Sequence, residues 1–160
     1  MHSFVLLVSI KGVELRLESI RSFINQYIMI MAKTLAMIFG VVFVLVGLLG
    51  FVNNPILGLF AVDVIHNIVH ILLGVILIAG ARSMNPRSAA SSMKTVGIIY
   101  IVLAILGFIL VPSGTDKLLG IVTMNGADNW LHAVLGVVLL IAAMATGKSM
   151  AKPMSGNAQM

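Results

Sequence analysis

Residues 67–79 read Asn67-Ile-Val-His70-Ile-Leu-Leu-Gly74-Val-Ile-Leu-Ile-Ala79, and residues 129–141 read Asn129-Trp-Leu-His132-Ala-Val-Leu-Gly136-Val-Val-Leu-Leu-Ile141. Asn, His and Gly coincide at an offset of 62 residues. Leu and Val matches carry little weight, because apolar segments resemble one another by composition. A polar Asn-x-x-His-x-x-x-Gly pattern that recurs in the same register carries far more. Both copies lie in stretches free of charged residues, from Asp63 to Arg82 and from Asp128 to Lys148.

Two further uncharged stretches, Lys33 to Asp63 and Lys94 to Asp116, complete a set of four. A helix rising about 1.5 Å per residue needs roughly 17–25 apolar residues to cross about 30 Å of hydrocarbon. The stretches therefore predict spans near 34–52, 64–81, 95–111 and 129–146. Turn-forming Asn53-Asn54-Pro55, Asn85-Pro86 and Pro112-Ser113-Gly114 separate them. Composition agrees: the 160-residue chain is 60% hydrophobic and 9% charged, against about 25% charged in a soluble domain. Such a chain overfills one soluble core, and the excess faces lipid. The alternating ten-residue strands of a membrane β-barrel are not visible.

Helices one and three also align without gaps, Phe43-Val-Leu-Val-Gly-Leu-Leu-Gly50-Phe51 with Tyr100-Ile-Val-Leu-Ala-Ile-Leu-Gly107-Phe108, at an offset of 57. The difference of five from the other offset falls in a longer second outer loop. The fold expected is all-α: a polytopic four-transmembrane-helix bundle from a duplicated two-helix unit, with helices two and four as pseudo-equivalent partners. Two spans per unit make the copies parallel, related by an axis along the membrane normal.

Lys11, Arg16, Arg21 and Lys33 precede the first span, Arg82, Arg87 and Lys94 lie between the second and third, and Lys148 and Lys152 follow the fourth. The first outer loop has no Lys or Arg and the second only Lys117. The positive-inside rule then gives an N-in, C-in protein of the inner (cytoplasmic) membrane. Residues 1–32 form an N-terminal cytoplasmic or interfacial segment, amphipathic through Val13, Leu17, Ile20, Ile24 and Ile28. The alternative is that translation starts at Met31, placing the segment upstream of the true start. Residues 33–147 form the transmembrane domain, and 148–160 read as a disordered cytoplasmic tail.

Asn67, His70 and Gly74 share one helical face, as do Asn129, His132 and Gly136. Such polar faces belong inside the bundle, since glycine permits close approach and an imidazole facing lipid lacks a partner. One step outward, His66 corresponds to Asp128. His66 and His70 then stand at i, i+4 on one helix and Asp128 and His132 at i, i+4 on the other, a spacing that lets two side chains reach one ion. His66, His70, Asp128 and His132 are the candidate metal ligands, with Asp63 placed to orient an imidazole from behind. His70 and His132 are also the matched pair for axial ligation of a haem. A proton relay is a further assignment, although no ionisable group continues the path inward. The assignment given most weight is structural: Asp63, Asn67, Gly74, Asn129 and Gly136 form a polar stripe, with Asn67 and Asn129 bonding to His132 and His70 or to backbone carbonyls to fix register. No cofactor is then required.

The chain has no cysteine, which removes thiolate chemistry and disulfides. Its net charge of +5 is not gathered in a stripe, so nucleic acid is not an expected partner. The 11 methionines lie mostly at the termini and helix ends and are not read as a copper-binding array. No nucleophile–base constellation or phosphate loop is present. Trp130 reads as an aromatic anchor at the outer interface.

Through Asp63, His66-Asn67, His70 and Gly74 in one half and Asp128-Asn129-Trp130-Leu131-His132 with Gly136 in the other, the chain resembles a family of small bacterial four-helix membrane proteins classed as a domain of unknown function. The resemblance covers about residues 33–146. More distantly it is similar to DoxX-like membrane proteins, some associated with redox or quinone chemistry. Neither likeness implies catalytic residues. The leading expectation is a non-enzymatic, structural or accessory membrane protein whose partners are the bilayer and either further copies of itself or other membrane proteins. A metal- or haem-binding membrane protein is the alternative.

Overall fold

The computed structural model describes residues 2–85 and 87–150, with side chains described over 11–85 and 87–147. Four helices, α1 (His2–Leu49), α2 (Val64–Arg82), α3 (Ser88–Leu110) and α4 (Gly126–Met150), are joined on one side by a short turn and on the other by two connections, called outer after the orientation expected from the charges. All four are long and apolar enough to cross a membrane, so this is a multi-pass membrane protein built as an all-α bundle. Its outer surface is correspondingly apolar, with Ile38, Leu45, Leu72, Val75, Ile105 and Ile141 all exposed. Residues 151–160, most of the expected tail, lie outside the described residues, and α4 runs four residues past its expected limit of 146.

The first span is longer than the hydropathy limits predict, because α1 is one uninterrupted helix of 48 residues, about 72 Å at the usual rise. Val13, Leu17, Ile20 and Ile24 are half exposed or more, so the apolar stripe of the amphipathic segment is helical and largely uncovered. At the other end α1 stops at Leu49, three residues short of the predicted limit, where Gly50 opens the turn toward Asn53-Asn54-Pro55.

α1 packs chiefly on α2, and α3 on α4. Helices two and four, the expected pseudo-equivalent pair, each pack mainly on another helix rather than on each other. The reason is the distribution of glycine. In lipid there is no hydrophobic drive between helices, so backbones associate where small residues let them approach. A Cβ on Gly40 would lie 2.9 Å from the Gly74 carbonyl oxygen, and one on Gly74 would lie 2.7 Å from that of Gly40. In the second pair a Cβ on Gly97 would lie 3.1 Å from the Gly136 carbonyl. Toward the outer end the Asn67 carboxamide occupies the space a Cβ on Gly50 would need, and the Asn129 carboxamide does the same at Gly107. Between the pairs, Phe43 of α1 stacks on Tyr100 of α3 with ring centroids 5.0 Å apart. These rings sit in a core with Leu73, Leu77, Met93 and Leu139.

The second outer connection holds an antiparallel hairpin, β1 (Thr115–Leu118) and β2 (Val122–Asn125), where a loop was expected. Its turn spans the three residues 119–121, with φ 52° at Leu119 and 73° at Gly120. The first outer connection closes in the same way: Ile56 bridges Phe60 around Leu57 and Gly58, at φ 53° and 72°. A leucine in the left-handed region departs from the usual Asn-Gly signal, which is why neither turn is announced by its residues.

Replacing Gly50 with Ala drives a methyl into the Asn67 carboxamide and is expected to destabilise the protein by about 1–3 kcal/mol. In an Asn67→Ala background the same change should cost much less. Thermal unfolding in detergent of the two singles and the double measures the difference. Equal costs in both backgrounds would remove this contact as the cause.

Candidate metal centre

α2 and α4 begin at the same end of the bundle, and each start is built around a cap. Asp63 precedes α2 and its Oδ1 accepts the backbone N–H of His66 at 2.8 Å. Asn125 precedes α4 and its Oδ1 accepts the N–H of Asp128 at 3.0 Å. A side-chain oxygen bonding the N–H three residues on satisfies one of four donors that a helix start leaves orphaned.

What the third residue of each helix does next differs. Asp128 turns back, its Oδ2 accepting the Asn125 N–H at 2.9 Å to complete a reciprocal capping box. His66 reaches across instead: its Nδ1–H donates to the Thr123 carbonyl at 2.8 Å. A carbonyl oxygen only accepts, so this contact fixes the tautomer and leaves Nε2 with its lone pair. Thr123 is itself held by Asp63, whose Oδ2 accepts both the Thr123 N–H at 2.9 Å and its hydroxyl at 2.8 Å. Asp63 thus reaches the His66 ring through Thr123 rather than by touching it. Burial raises the Asp63 pKa, and the three hydrogen bonds from His66 and Thr123 outweigh it, leaving the carboxyl below its ordinary value.

Of the four candidate ligands the structure brings three together. One ring nitrogen from each of His66, His70 and His132 lies within 4.8 Å of those of the other two. Asp128 is not among them, because its carboxylate is spent on the cap of its own helix. The sequence Asn125-Gly-Ala-Asp128 carries that capping pattern. All three histidines are buried, at 3%, 6% and 2% exposure, and they line a cavity of about 160 Å³. Nδ1 of His70 and Nδ1 of His132 have no hydrogen-bond partner among the described residues, and neither has the Tyr100 hydroxyl. The rings pack on one another and on Tyr100: His66 lies 5.8 Å from His132, and Tyr100 meets His132 edge-on at 4.7 Å between centroids.

The asparagines do not bond to these histidines across the bundle. Asn129 donates to the Val111 carbonyl at 2.8 Å, the backbone alternative, and Asn67 is turned onto Gly50. Both therefore face the partner helix of their own pair, while the histidines face the centre. Thr123 is the site residue that sequence reasoning missed. It lies 60 residues from Asp63, and only the hairpin brings it there.

Three nitrogens bound to one ion at about 2.0–2.1 Å stand about 3.3–3.6 Å apart. The ring nitrogens, within 4.8 Å of one another, would close by up to about 1.2–1.5 Å to reach that geometry. A haem does not fit, since cofactor sites occupy roughly 300–1,000 Å³ and this cavity has about 160 Å³.

Because Asp63 has a lowered pKa in the folded state, its stabilising effect is full above the ordinary carboxyl value near 4 and disappears as the pH falls through the folded value. Asp63→Asn should lower stability at neutral pH by about 0.5–2 kcal/mol and make stability less dependent on pH below about 4. Unfolding followed across acid pH for the two proteins reads this directly; an unchanged acid limb in the variant would refute the assignment.

No curated protein and no solved structure matches the chain, and the more distant likeness to DoxX-like proteins is carried by no match. A family model does match, over residues 33–145 and therefore over all four helices and both outer connections. The chain belongs to the family described as domain of unknown function DUF4383.

Proposed function

We propose that this protein is a non-enzymatic accessory protein of the bacterial cytoplasmic membrane, oriented N-in and C-in, that holds a transition-metal ion on His66, His70 and His132. The observation that carries the reading is the convergence of three buried imidazoles, two with unpartnered ring nitrogens and the third with its lone pair aimed by Thr123. Imidazole nitrogens are good donors to zinc, copper, iron and nickel. An ion there ties α2 to α4, which each pack mainly on another helix, and so locks the two halves at their outer end.

A duplicated two-helix unit accounts for the architecture. Gly40 with Gly74 and Gly50 with Asn67 are matched by Gly97 with Gly136 and Gly107 with Asn129. The offsets are those of the sequence alignment, 57 on α3 and 62 on α4. The outer turns match at 62 as well, Leu57-Gly58 with Leu119-Gly120.

Elemental analysis after purification in mild detergent is expected to find a transition metal near one per chain, or uptake of one on addition. Bound metal should raise the unfolding temperature, since an ion at about 100 times its Kd stabilises by about 2.7 kcal/mol. His70→Ala combined with His132→Ala should abolish both effects. Wild-type protein that neither carries metal nor responds to it would leave the histidines as packing groups only.

Orientation has its own test, because the chain lacks cysteine. Val52 and Met84 are 85% and 98% exposed at opposite ends of the bundle. A membrane-impermeant maleimide should label Val52→Cys in intact cells and Met84→Cys only after lysis. The reverse pattern would invert the topology.

A further inference from the structure

Which ion the three histidines take is decided by the rest of the cavity wall. Met124, fully buried on β2, lines the same cavity as the imidazoles, and Val69, Ile99 and Leu103 supply apolar surface around them. Strand alternation produces this arrangement: the Thr123 backbone orients His66 while the next side chain turns inward. No carboxylate joins the set. Asp63 is committed to His66 and Thr123, and Asp128 to Asn125.

We infer that the site is selective for Cu(I), with His66, His70 and His132 as nitrogen donors and the Met124 thioether as a sulfur donor. This rests on the reading that the histidines bind metal. Two arguments favour the monovalent ion. Thioether sulfur is a soft donor that selects Cu(I), whereas the usual zinc donors are thiolate, imidazole and carboxylate. The cost of burying an ion in an apolar site also rises with the square of its charge. A divalent ion here meets only neutral donors and no anion to offset that cost. Hard ions such as Mg²⁺ and Ca²⁺ need several oxygen ligands, and the Tyr100 hydroxyl is the one side-chain oxygen among the described residues lining the cavity.

The test uses the full chain in detergent, stripped of metal and titrated anaerobically. Cu(I) is competed against a chromogenic Cu(I) chelator, and Zn(II) against a zinc chelator. One Cu(I) per chain is expected. Met124→Leu, a volume-conserving change, should weaken Cu(I) about tenfold or more, equivalent to about 1.4 kcal/mol, and leave Zn(II) almost unchanged. X-ray absorption at the copper edge of the wild-type protein should show a sulfur neighbour beside nitrogen, a readout independent of any variant. A nitrogen-only copper shell, or equal losses for both ions in Met124→Leu, overturns the copper inference and leaves the histidine site standing. Failure of the wild-type protein to bind either ion overturns both.

Discussion

One carboxylate closes the outer end of this bundle. Asp63 receives the His66 N–H, the Thr123 N–H and the Thr123 hydroxyl. In doing so it caps α2 and anchors a hairpin from the opposite half of the chain. A helix that ends near hydrocarbon has unsatisfied donors that water does not readily reach, and an irregular connection adds more. Joining the two needs satisfies both with a single side chain. The anchored hairpin then covers the bundle end, burying Leu118 and Met124 against Val111, and so encloses the histidine cavity from above. Asn54 performs a related service in the first connection, with its carboxamide exchanging two hydrogen bonds with the Val62 backbone.

Below that closure, backbone proximity holds each helix pair, and large side chains such as Phe43, Leu77, Tyr100 and Leu139 pack between the pairs. Asn67 and Asn129 fill the gaps at Gly50 and Gly107, and the glycines deeper in each pair let main chains touch. The resulting division of labour is clear on α2 and α4. Their asparagines and glycines face the partner within each pair, while their histidines face the centre. At the centre the aligned positions of the proposed repeat differ in polarity, with Phe43 against Tyr100 and His66 against Asp128. One half therefore contributes two imidazoles and the other contributes one imidazole, a phenol and the methionine of the hairpin.

Four helices were legible because the hydrocarbon thickness imposes a minimum apolar length, and charges mark the limits between Asp63 and Arg82 with little ambiguity. Close approach at Gly40 and Gly74 was legible from residue type alone. Partner choice was not, since the periodicity that places Asn67, His70 and Gly74 on one side of a helix does not say which neighbour each one meets. Within the site, spacing located His66, His70 and His132, but Asp128 satisfied the ligand spacing and the capping-box spacing equally well. The cap prevailed, because a local carboxylate-to-N–H bond forms within one turn. Thr123 and Met124 depend on a hairpin whose turns place leucine at positive φ, against the residue preferences from which turns are read.

The energetics of the histidine cluster bear on its role. A buried polar group without a partner costs about 1–3 kcal/mol, and His70, His132 and Tyr100 each contain such a group. Phenylalanine at these positions would fill comparable volume, stack on the same neighbours and avoid those costs, so ring packing alone does not account for imidazole at the centre. Fixing helix register is not served by Nδ1 of His70, which has no hydrogen-bond partner among the described residues, because a register device works through the bonds it makes. Under the proposed metal binding the lone pairs themselves are used, with His66 already held in the tautomer that offers one. Packing and the proposed chemistry are then separate layers: glycine and asparagine hold each pair together, and the imidazoles stand between the pairs.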